Sequence, residues 1–254
     1  MKILIFDLET MPMLSYHWQR WQENIAPVQT VSEGYLASWA AKWVGDDTVM
    51  YDGLNNYDYK MEDEKHVAGT LHELMSEADV VVHYNGDSFD IKVAQTAFAR
   101  HGFAPPHKLH SIDLFKIVKK NFRLSSKKLN SVCEYLGLEL KEENSGWKLW
   151  IDCVNGNTEA WEKMESYNRQ DVLVTEALYH RLLPWIHNHP NVNILTDSEE
   201  IKCCNCGSSH VIKKGKEFTK AGVYQRYRCN SCGTPQRGKT MLNGREQRSA
   251  LTTR

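Results

Sequence analysis

The first stretch of sequence that could do chemistry is ILIFDLET, near the start of the chain. It has the apolar character of a strand, and Asp7 and Glu9 continue the face that begins with Ile3 and Ile5. Two like charges buried side by side repel, and burial raises their pKa values. A cation between them removes both problems. The alternative is a strand that ends here, with both acids in water.

A third acid lies on the apolar stripe of the longest predicted helix. In SYNRQDVLVTEAL, Asp171 fills a gap in the stripe that continues with Val174 and Leu178, and Tyr167 lies one turn earlier. A buried carboxylate without a partner is strongly destabilising. The sequence therefore predicts a metal ion beside Asp171, or else a structural salt bridge.

The third stretch, HYNGDSFDI, closes a predicted buried strand and opens a helix. Gly86 permits a sharp turn, Asp87 or Ser88 can cap the helix, and Asp90 falls in its first turn. Alone, Asp90 would be a partner of the helix dipole. Together the acids of the three stretches form a set of hard oxygen ligands suited to Mg²⁺ or Mn²⁺. Two such ions about 4 Å apart can clamp a phosphate.

Two C-x-x-C-G knuckles supply a separate metal signal near the end of the sequence. Cys203 and Cys206 form the first, Cys229 and Cys232 form the second, and 22 residues separate the two. This spacing is typical of a zinc ribbon with one structural Zn²⁺, and disulfides are the weaker alternative for a chain without a secretion signal. Cys204 would make a tighter C-x-C pair and is left out.

Further cysteine and histidine side chains are given other roles. His210 is a less favoured zinc ligand, and Cys133 and Cys153 are predicted to be buried thiols.

Charge is divided unevenly along the 254 residues. Residues 201–254 carry 12 Lys/Arg and 2 Asp/Glu, while the whole chain has a net charge of -1. A basic segment on an acidic body favours a nucleic-acid partner, with a protein partner as the alternative. No apolar run approaches the roughly 20 residues of a membrane helix, and MKILIF meets acids too early for a signal peptide. We expect a cytoplasmic protein.

These residues need a scaffold, and the pattern predicts a mixed α/β sheet with helices packed on it. Predicted strands are Lys2–Leu8, Tyr35–Val44, Thr48–Asp52, Asp79–Tyr84 and Lys108–Ile112. Predicted helices are Met61–Glu77, Ser88–His101, Asp113–Asn121, Lys127–Leu136 and Asn157–Leu183, the last capped by Asn157 or Thr158. We assign residues 1–185 to the first domain, 186–200 to a linker, 201–238 to the ribbon and 239–254 to a basic, disordered tail.

The three acidic stretches resemble the three motifs of the DEDD exonucleases, which have an RNase H-like fold. IFDLET carries Asp-x-Glu, HYNGDSFD carries Asn followed by Phe-Asp, and YNRQD carries Tyr-x-x-x-Asp. The last motif is similar to the tyrosine subgroup (DEDDy), which includes proofreading domains of B-family DNA polymerases. The segment Ile112–Leu138 is also similar. The resemblance covers roughly residues 1–185, and the whole chain is most similar to exonucleases of bacteriophages and related bacterial elements.

The resemblance implies a 3′→5′ exonuclease in which four acids bind two divalent ions. These would be Asp7, Glu9, Asp90 and Asp171. It further implies that Tyr167 orients the attacking water and that Asn85 and Phe89 shape the pocket for the terminal nucleotide. DNA is favoured as the substrate, with RNA as the open alternative, and the location would be the host cytoplasm if the protein is phage-encoded. A separate polymerase or replication protein is a candidate partner.

Four tryptophans have two possible roles. Trp18 and Trp21 either stack on unpaired bases or belong to the core, whereas Trp39 and Trp43 favour the core.

Two other functions stay open. One is a non-catalytic nucleic-acid- or polymerase-binding accessory protein with a relic nuclease fold. The other is a transposase or recombinase, which normally uses three acids and has no use for Tyr167.

Overall fold

The fold is described from a computed structural model. The described residues are 1–21, 24–58, 60, 63–138, 146–194, 200–220 and 222–248. The chain divides into two compact units, Lys2–Leu178 and Tyr179–Arg254, with Met1 assigned to the second. The compact division thus falls before residue 185, where the sequence predicts the end of the first domain. Each unit is described separately below.

The first unit contains a five-stranded mixed sheet and a two-stranded ribbon. Its strands are β1 (Ile3–Met11), β2 (Leu14–Ser15), β3 (Thr30–Ser32), β4 (Tyr35–Trp43), β5 (Val49–Gly53), β6 (Val80–His83) and β7 (His110–Asp113). The order of the large sheet is β5-β4-β1-β6-β7. Strand β4 runs antiparallel to β1 and β5, whereas β6 runs parallel to both β1 and β7. All five predicted strands are present within two or three residues of their expected ends.

Helices follow the strands at the predicted places, with one addition. They are α1 (Glu64–Glu77), α2 (Asp90–Arg100), α3 (Leu114–Asn121), α4 (Leu129–Tyr135), α5 (Trp147–Val154) and α6 (Thr158–Leu182). The predicted start of α1 at Met61 lies outside the described residues. Helix α5 was not predicted, because it is short and buries only Leu149 and Cys153. The predicted cap of α6 is confirmed, since Asn157 Oδ1 accepts a 3.0 Å hydrogen bond from the Ala160 N–H.

Strand β1 lies at the centre of the sheet and is buried on both faces. Leu4, Phe6 and Leu8 belong to the main apolar core, while Ile3 and Ile5 are buried on the opposite face. A strand with neighbours on both sides and cover on both faces has a continuous apolar sequence. Asp7 and Glu9, which interrupt this apolar sequence, are therefore positioned by the central strand of the sheet.

Polar contacts fix α6 to the sheet. Lys42 of β4 pairs with Glu176, and Arg169 donates a hydrogen bond to the backbone carbonyl of Val49 in β5. The Lys42 and Glu176 side chains are both largely removed from water, so loss of one partner would leave an uncompensated charge. These contacts set the position of α6, and hence of Asp171, relative to the sheet.

The second unit contains a three-stranded antiparallel sheet. Strands β8 (Val211–Phe218), β9 (Val223–Cys229) and β10 (Pro235–Met241) have the order β10-β9-β8, and the short helix α7 (Arg245–Arg248) follows. Lys239 to Met241 belong to β10, although the sequence placed them in a disordered tail. The tail from residue 249 lies outside the described residues. No helix among the described residues is long and apolar enough to cross a membrane.

Candidate active site and metal centre

Three of the four predicted acids come together at one place. Asp7 and Glu9 lie in β1, Asp171 lies in α6, and one carboxylate oxygen of each lies within 4.8 Å of the other two. Asp171 is buried, whereas Asp7 and Glu9 are half-buried. Three carboxylates at this separation repel unless a cation or proton lies among them. The group therefore fits a divalent cation such as Mg²⁺ or Mn²⁺, which takes oxygen ligands.

Asn168 joins two of the elements that form this group. Its side-chain amide donates a 2.9 Å hydrogen bond to Asp7 Oδ2 and a 3.2 Å hydrogen bond to the Asp7 carbonyl. Its Oδ1 in turn accepts from the Ser38 hydroxyl of β4 at 3.2 Å. Asn168 is fully buried, and its amide orients the Asp7 carboxylate. The sequence pattern did not identify this residue, although Asn168 is a polar residue on the same buried stripe as Asp171, three positions earlier.

Asp90 is buried in the first turn of α2 and is tied to the same strand. Its Oδ1 accepts a 3.1 Å hydrogen bond from the backbone N–H of Leu8, the residue between Asp7 and Glu9. Burial raises the pKa of Asp90 to about 6, against the opposing effects of His83 and of backbone hydrogen bonds. Asp90 lies outside the group of three acids that approach one another most closely. Its backbone bond nevertheless links it to the acidic end of β1.

Tyr167 lies one turn before Asp171 on α6 and is half-buried. The spacing of four residues stacks the two side chains along one face of the helix. The tyrosine therefore occupies the same face of α6 as one of the three gathered acids.

The turn between β6 and α2 differs from the expectation in two details. The left-handed residue is Asn85, with φ of 66°, rather than Gly86. A Cβ at Gly86 would lie 2.5 Å from the His83 ring, so the glycine is needed for a close approach. Neither Asp87 nor Ser88 caps α2, whose N-cap residue Phe89 has no side-chain capping bond.

A buried polar network holds this turn instead. The Gly86 N–H donates to His83 Nδ1 at 2.9 Å, while His83 Nε2 lies 2.9 Å from Ser111 Oγ. The Ser111 hydroxyl donates to Asp87 Oδ1, and Lys116 contacts Asp87 Oδ2 at 2.6 Å. The hydrogen bond with His83 is the largest effect that holds the pKa of Asp87 below its usual range. The network fixes the turn that delivers Asp90.

The residues expected to contact substrate lie in different places. Phe89 is 46% exposed and lines a pocket of about 320 Å³ together with Thr10 and Lys92. Asn85 lines another pocket, with Phe115 and Lys128. Its backbone N–H donates to Asp113 Oδ1 at 2.9 Å. The structure therefore does not bring Asn85 and Phe89 together in one described pocket.

The tryptophans separate as two kinds. Trp18 and Trp21 are 98% and 88% exposed, so neither belongs to the core. Trp39 is buried, as predicted, and its indole N–H donates to the Val67 carbonyl at 3.0 Å. Trp43 packs half-buried against the core. Cys133 and Cys153 are buried thiols, also as predicted.

Four cysteines of the second unit form a compact sulfur cluster. The Sγ atoms of Cys203 and Cys232 are 3.5 Å apart, and those of Cys206 and Cys229 are 3.7 Å apart. A tetrahedral zinc site with Zn–S bonds of about 2.3 Å has sulfurs roughly 3.7 Å apart. A disulfide would require about 2.05 Å. The cluster therefore fits one structural Zn²⁺, and Cys204 lies outside it.

The two knuckles have the same backbone geometry. In the first, the Cys203 N–H donates to Ser208 and the Gly207 N–H donates to Cys203; in the second, Cys229 bonds Thr234 and Gly233 bonds Cys229 in the same pattern. Both glycines have positive φ, 74° and 81°, a conformation that glycine adopts without steric cost. The repeated turn is what brings each pair of sulfurs to one point.

The family of the chain follows from a match over most of the first unit. Residues 40–183, more than half of the chain, match RNase_H_2, described as RNase_H superfamily. The chain belongs to the RNase_H superfamily. The predicted fold class, an RNase H-like mixed sheet flanked by helices, is confirmed, and the cysteine cluster fits a zinc ribbon. Among curated protein sequences, none matches this chain.

A solved structure shares the fold. The family B DNA polymerase from the hyperthermophilic archaeon Pyrobaculum calidifontis is similar with a TM-score of 0.52 and 20% identity. The similarity covers 72% of this chain and 24% of the polymerase chain, so this protein spans about a quarter of that polymerase's length. At this identity the likeness concerns the fold alone. Superfamily membership and the acidic group together support a nuclease-type function, and hence nucleic-acid binding.

Proposed function

We propose that this protein is a metal-dependent 3′→5′ exonuclease of the tyrosine DEDD type. It would hydrolyse phosphodiester bonds at nucleic-acid 3′ ends, DNA rather than RNA, and release nucleoside monophosphates. The observation that carries the proposal is the convergence of Asp7, Glu9 and Asp171 within 4.8 Å at the end of the central strand. Asp90, bonded to the Leu8 amide in the same strand, completes the set of four acids.

The four acids would hold two Mg²⁺ or Mn²⁺ ions. Such ions supply the charge neutralisation and the activated water that phosphodiester hydrolysis requires. Asn168 keeps the Asp7 carboxylate in one orientation by donating to its Oδ2. Asp90 must be deprotonated to act as a ligand, and its pKa of about 6 allows this at neutral pH. A positive charge beside it would favour the deprotonated form further.

Tyr167 would donate or accept a hydrogen bond that orients the attacking water. A phenol with a pKa near 10 is a weak base at neutral pH, so we assign it to orientation rather than to deprotonation. Phe89, exposed beside Asp90, would pack against the terminal nucleotide, while Asn85 would act through the turn that it shapes. Trp18 and Trp21 are exposed enough to stack on unpaired bases.

The cysteine cluster would bind one structural Zn²⁺, making the second unit a zinc ribbon that aids substrate binding. The resemblance favours a bacteriophage-type exonuclease acting in the host cytoplasm. A separate polymerase or replication protein would be a partner in a proofreading role.

The test is digestion of 3′-labelled and 5′-labelled oligonucleotides in the presence of Mg²⁺. We expect stepwise release of mononucleotides from the 3′ end, abolished in Asp7→Ala and Asp171→Asn with the fold retained. Glu162→Gln, on the exposed side of α6, is the matched control and should digest normally. Undiminished digestion in either acid variant would sink the assignment.

The same assay separates the other functions. Binding without cleavage would favour an accessory protein with a relic nuclease fold, and strand joining would favour a transposase or recombinase. Matched DNA and RNA strands, single and double, determine the preferred substrate.

A further inference from the structure

The second unit contains a groove that the proposed active site does not use. It has a volume of about 430 Å³, which is within the roughly 300–1,000 Å³ of small-ligand pockets, and its lining includes Trp185, Lys214, Arg226, Tyr227 and Arg228. We call these five residues and the space between them the basic groove. No aspartate or glutamate of the described residues lines it.

The three cations of the basic groove are exposed to solvent, and Arg226 Nε donates a 3.1 Å hydrogen bond to the Lys214 carbonyl. Arg226 and Arg228 are two positions apart in β9, so their side chains lie on the same face of the sheet. Neither of them, nor Lys214, forms an ion pair with any residue that the structure describes. Arg237 of β10 differs, because it pairs with Glu217 at 3.3 Å and stacks on the Tyr224 ring. The three cations of the groove therefore have no ion-pair partner among the described residues, whereas Arg237 beside the groove is paired with an acid.

An aromatic ring lies at the same groove. Trp185 is 39% exposed, in the short 3-10 helix Leu183–Trp185. That helix is anchored to the first knuckle, because the Asn205 amide donates to the Leu183 carbonyl at 2.9 Å. The indole is thus held on a fixed backbone beside the arginines.

From these features we propose that the basic groove binds single-stranded polynucleotide. Trp185 would stack on an unpaired base, and Lys214, Arg226 and Arg228 would contact the phosphates on either side. Stacking needs a base that is free of its helical neighbours, so a duplex does not fit. The proposal extends the substrate-binding role of the second unit but needs no catalysis, so it stands or falls by binding measurements.

Base stacking is tested with the full chain carrying Asp171→Asn, which is expected to prevent digestion. Fluorescence anisotropy would measure binding of a twelve-residue thymidine oligonucleotide and of an abasic strand with the same phosphates. We expect Trp185→Leu to weaken binding of the oligonucleotide about 5- to 150-fold, the range given by 1–3 kcal/mol per stacked base, and to leave the abasic strand unaffected. Trp185→Phe should restore most of the affinity.

The matched control is Trp147→Leu, which removes an exposed tryptophan of α5 and should change neither affinity. Zinc content and thermal melting verify that each variant is folded. Equal losses on both strands, or no loss on either, would overturn the stacking assignment.

Phosphate contact is tested by two double variants of equal charge change. Arg226→Gln with Arg228→Gln removes the groove cations. Lys213→Gln with Lys216→Gln removes two exposed lysines of β8 that do not line the groove. For single strands each lost phosphate contact lowers the slope of log K against log salt by about 0.7, so the arginine variant should lose about 1.4.

The lysine variant should lose little of that slope. Equal slopes in the two variants would contradict a specific groove, and binding unchanged in both would point to a protein partner for this face. If the Asp171→Asn chain binds through the groove but the unsubstituted chain digests nothing, the exonuclease proposal fails and the groove proposal is supported. If the unsubstituted chain digests normally but Trp185→Leu does not change binding, the groove proposal fails and the exonuclease proposal is supported.

Discussion

The two candidate metal centres of this protein are assembled in opposite ways. The cysteine cluster joins residues that are close in the sequence, since Cys206 and Cys229 are 23 positions apart and Cys203 and Cys232 are 29 apart. The acidic site depends on distant segments, with Asn168 and Asp7 separated by 161 positions and Leu8 and Asp90 by 82. The first centre is local and closed by four ligands, while the second needs the whole first unit.

This difference has an energetic consequence. The second unit has few buried apolar side chains, so a metal that binds only the folded form contributes directly to its stability. In the first unit the apolar core supplies the stability, and the gathered carboxylates oppose it through repulsion and burial. We therefore expect the zinc to be needed for folding and the acids to be needed for activity at some cost in stability. Four experiments can break or sharpen this contrast.

The largest effect should come from loss of a zinc ligand. Cys203→Ser removes one corner of the cluster, and we expect loss of bound zinc together with loss of amide hydrogen-exchange protection across β8 to β10. Protection in β1 and β4 should remain. Cys204→Ser is the control, because Cys204 lies outside the cluster and contacts Asn205 Oδ1. Zinc lost equally from both variants would contradict the ligand assignment.

Removal of the tyrosine hydroxyl should affect turnover without affecting either metal. We expect Tyr167→Phe to lower the digestion rate by about two orders of magnitude, in the range of a positioned proton-transfer or orienting group. The Mg²⁺ concentration for half-maximal rate and the zinc content should stay the same. An unaffected rate would exclude Tyr167 from the reaction.

Asn168 should have a smaller effect, and one that acts through a metal ligand. Asn168→Leu keeps the volume but removes the donor to Asp7 Oδ2. Groups that orient a ligand typically contribute about 10- to 100-fold to metal affinity or activity. We expect the required Mg²⁺ concentration to rise by such a factor, with zinc unchanged. A lower rate at every Mg²⁺ concentration with no shift in the requirement would show a merely structural role.

The smallest effect concerns pH and stability. The pKa of Asp90 is raised to about 6, so without divalent ions the folded protein binds this proton more tightly than the unfolded chain, whose pKa is about 3.9. The stability contributed by this tighter proton binding is fully present below about pH 4 and is lost as pH rises through about 6.

Asp90→Asn cannot ionise, so its stability relative to the unsubstituted chain should increase between pH 5 and pH 7.5, by about 1.4 kcal/mol. Differential melting at the two pH values without added Mg²⁺ measures this. The comparison between variants cancels the pH dependence of the cysteine cluster. A difference that is independent of pH would show that Asp90 is not strained by burial.

Much of the fold could be predicted from local patterns. The five strands of the large sheet and five of its six helices follow from apolar periodicity and from turn residues. Helix α5 escaped prediction because it is short and half of its apolar residues, Trp147, Ile151 and Val154, are exposed. The strands of the second unit were not assigned, since their sequence is polar and largely solvent-exposed.

The sequence by itself determined the cysteine cluster, because short spacing and glycines in the left-handed conformation leave the four sulfurs little choice of position. The sequence also identified the acids that interrupt apolar strand and helix patterns. Only the tertiary structure decided that Asp7, Glu9 and Asp171 share one point, and that Asp90 is held instead by the Leu8 amide. The tertiary structure alone brought Asn168 to Asp7 and the arginines to Trp185. The physical reason is that contacts between distant segments arise from packing of the whole unit, which no local spacing encodes.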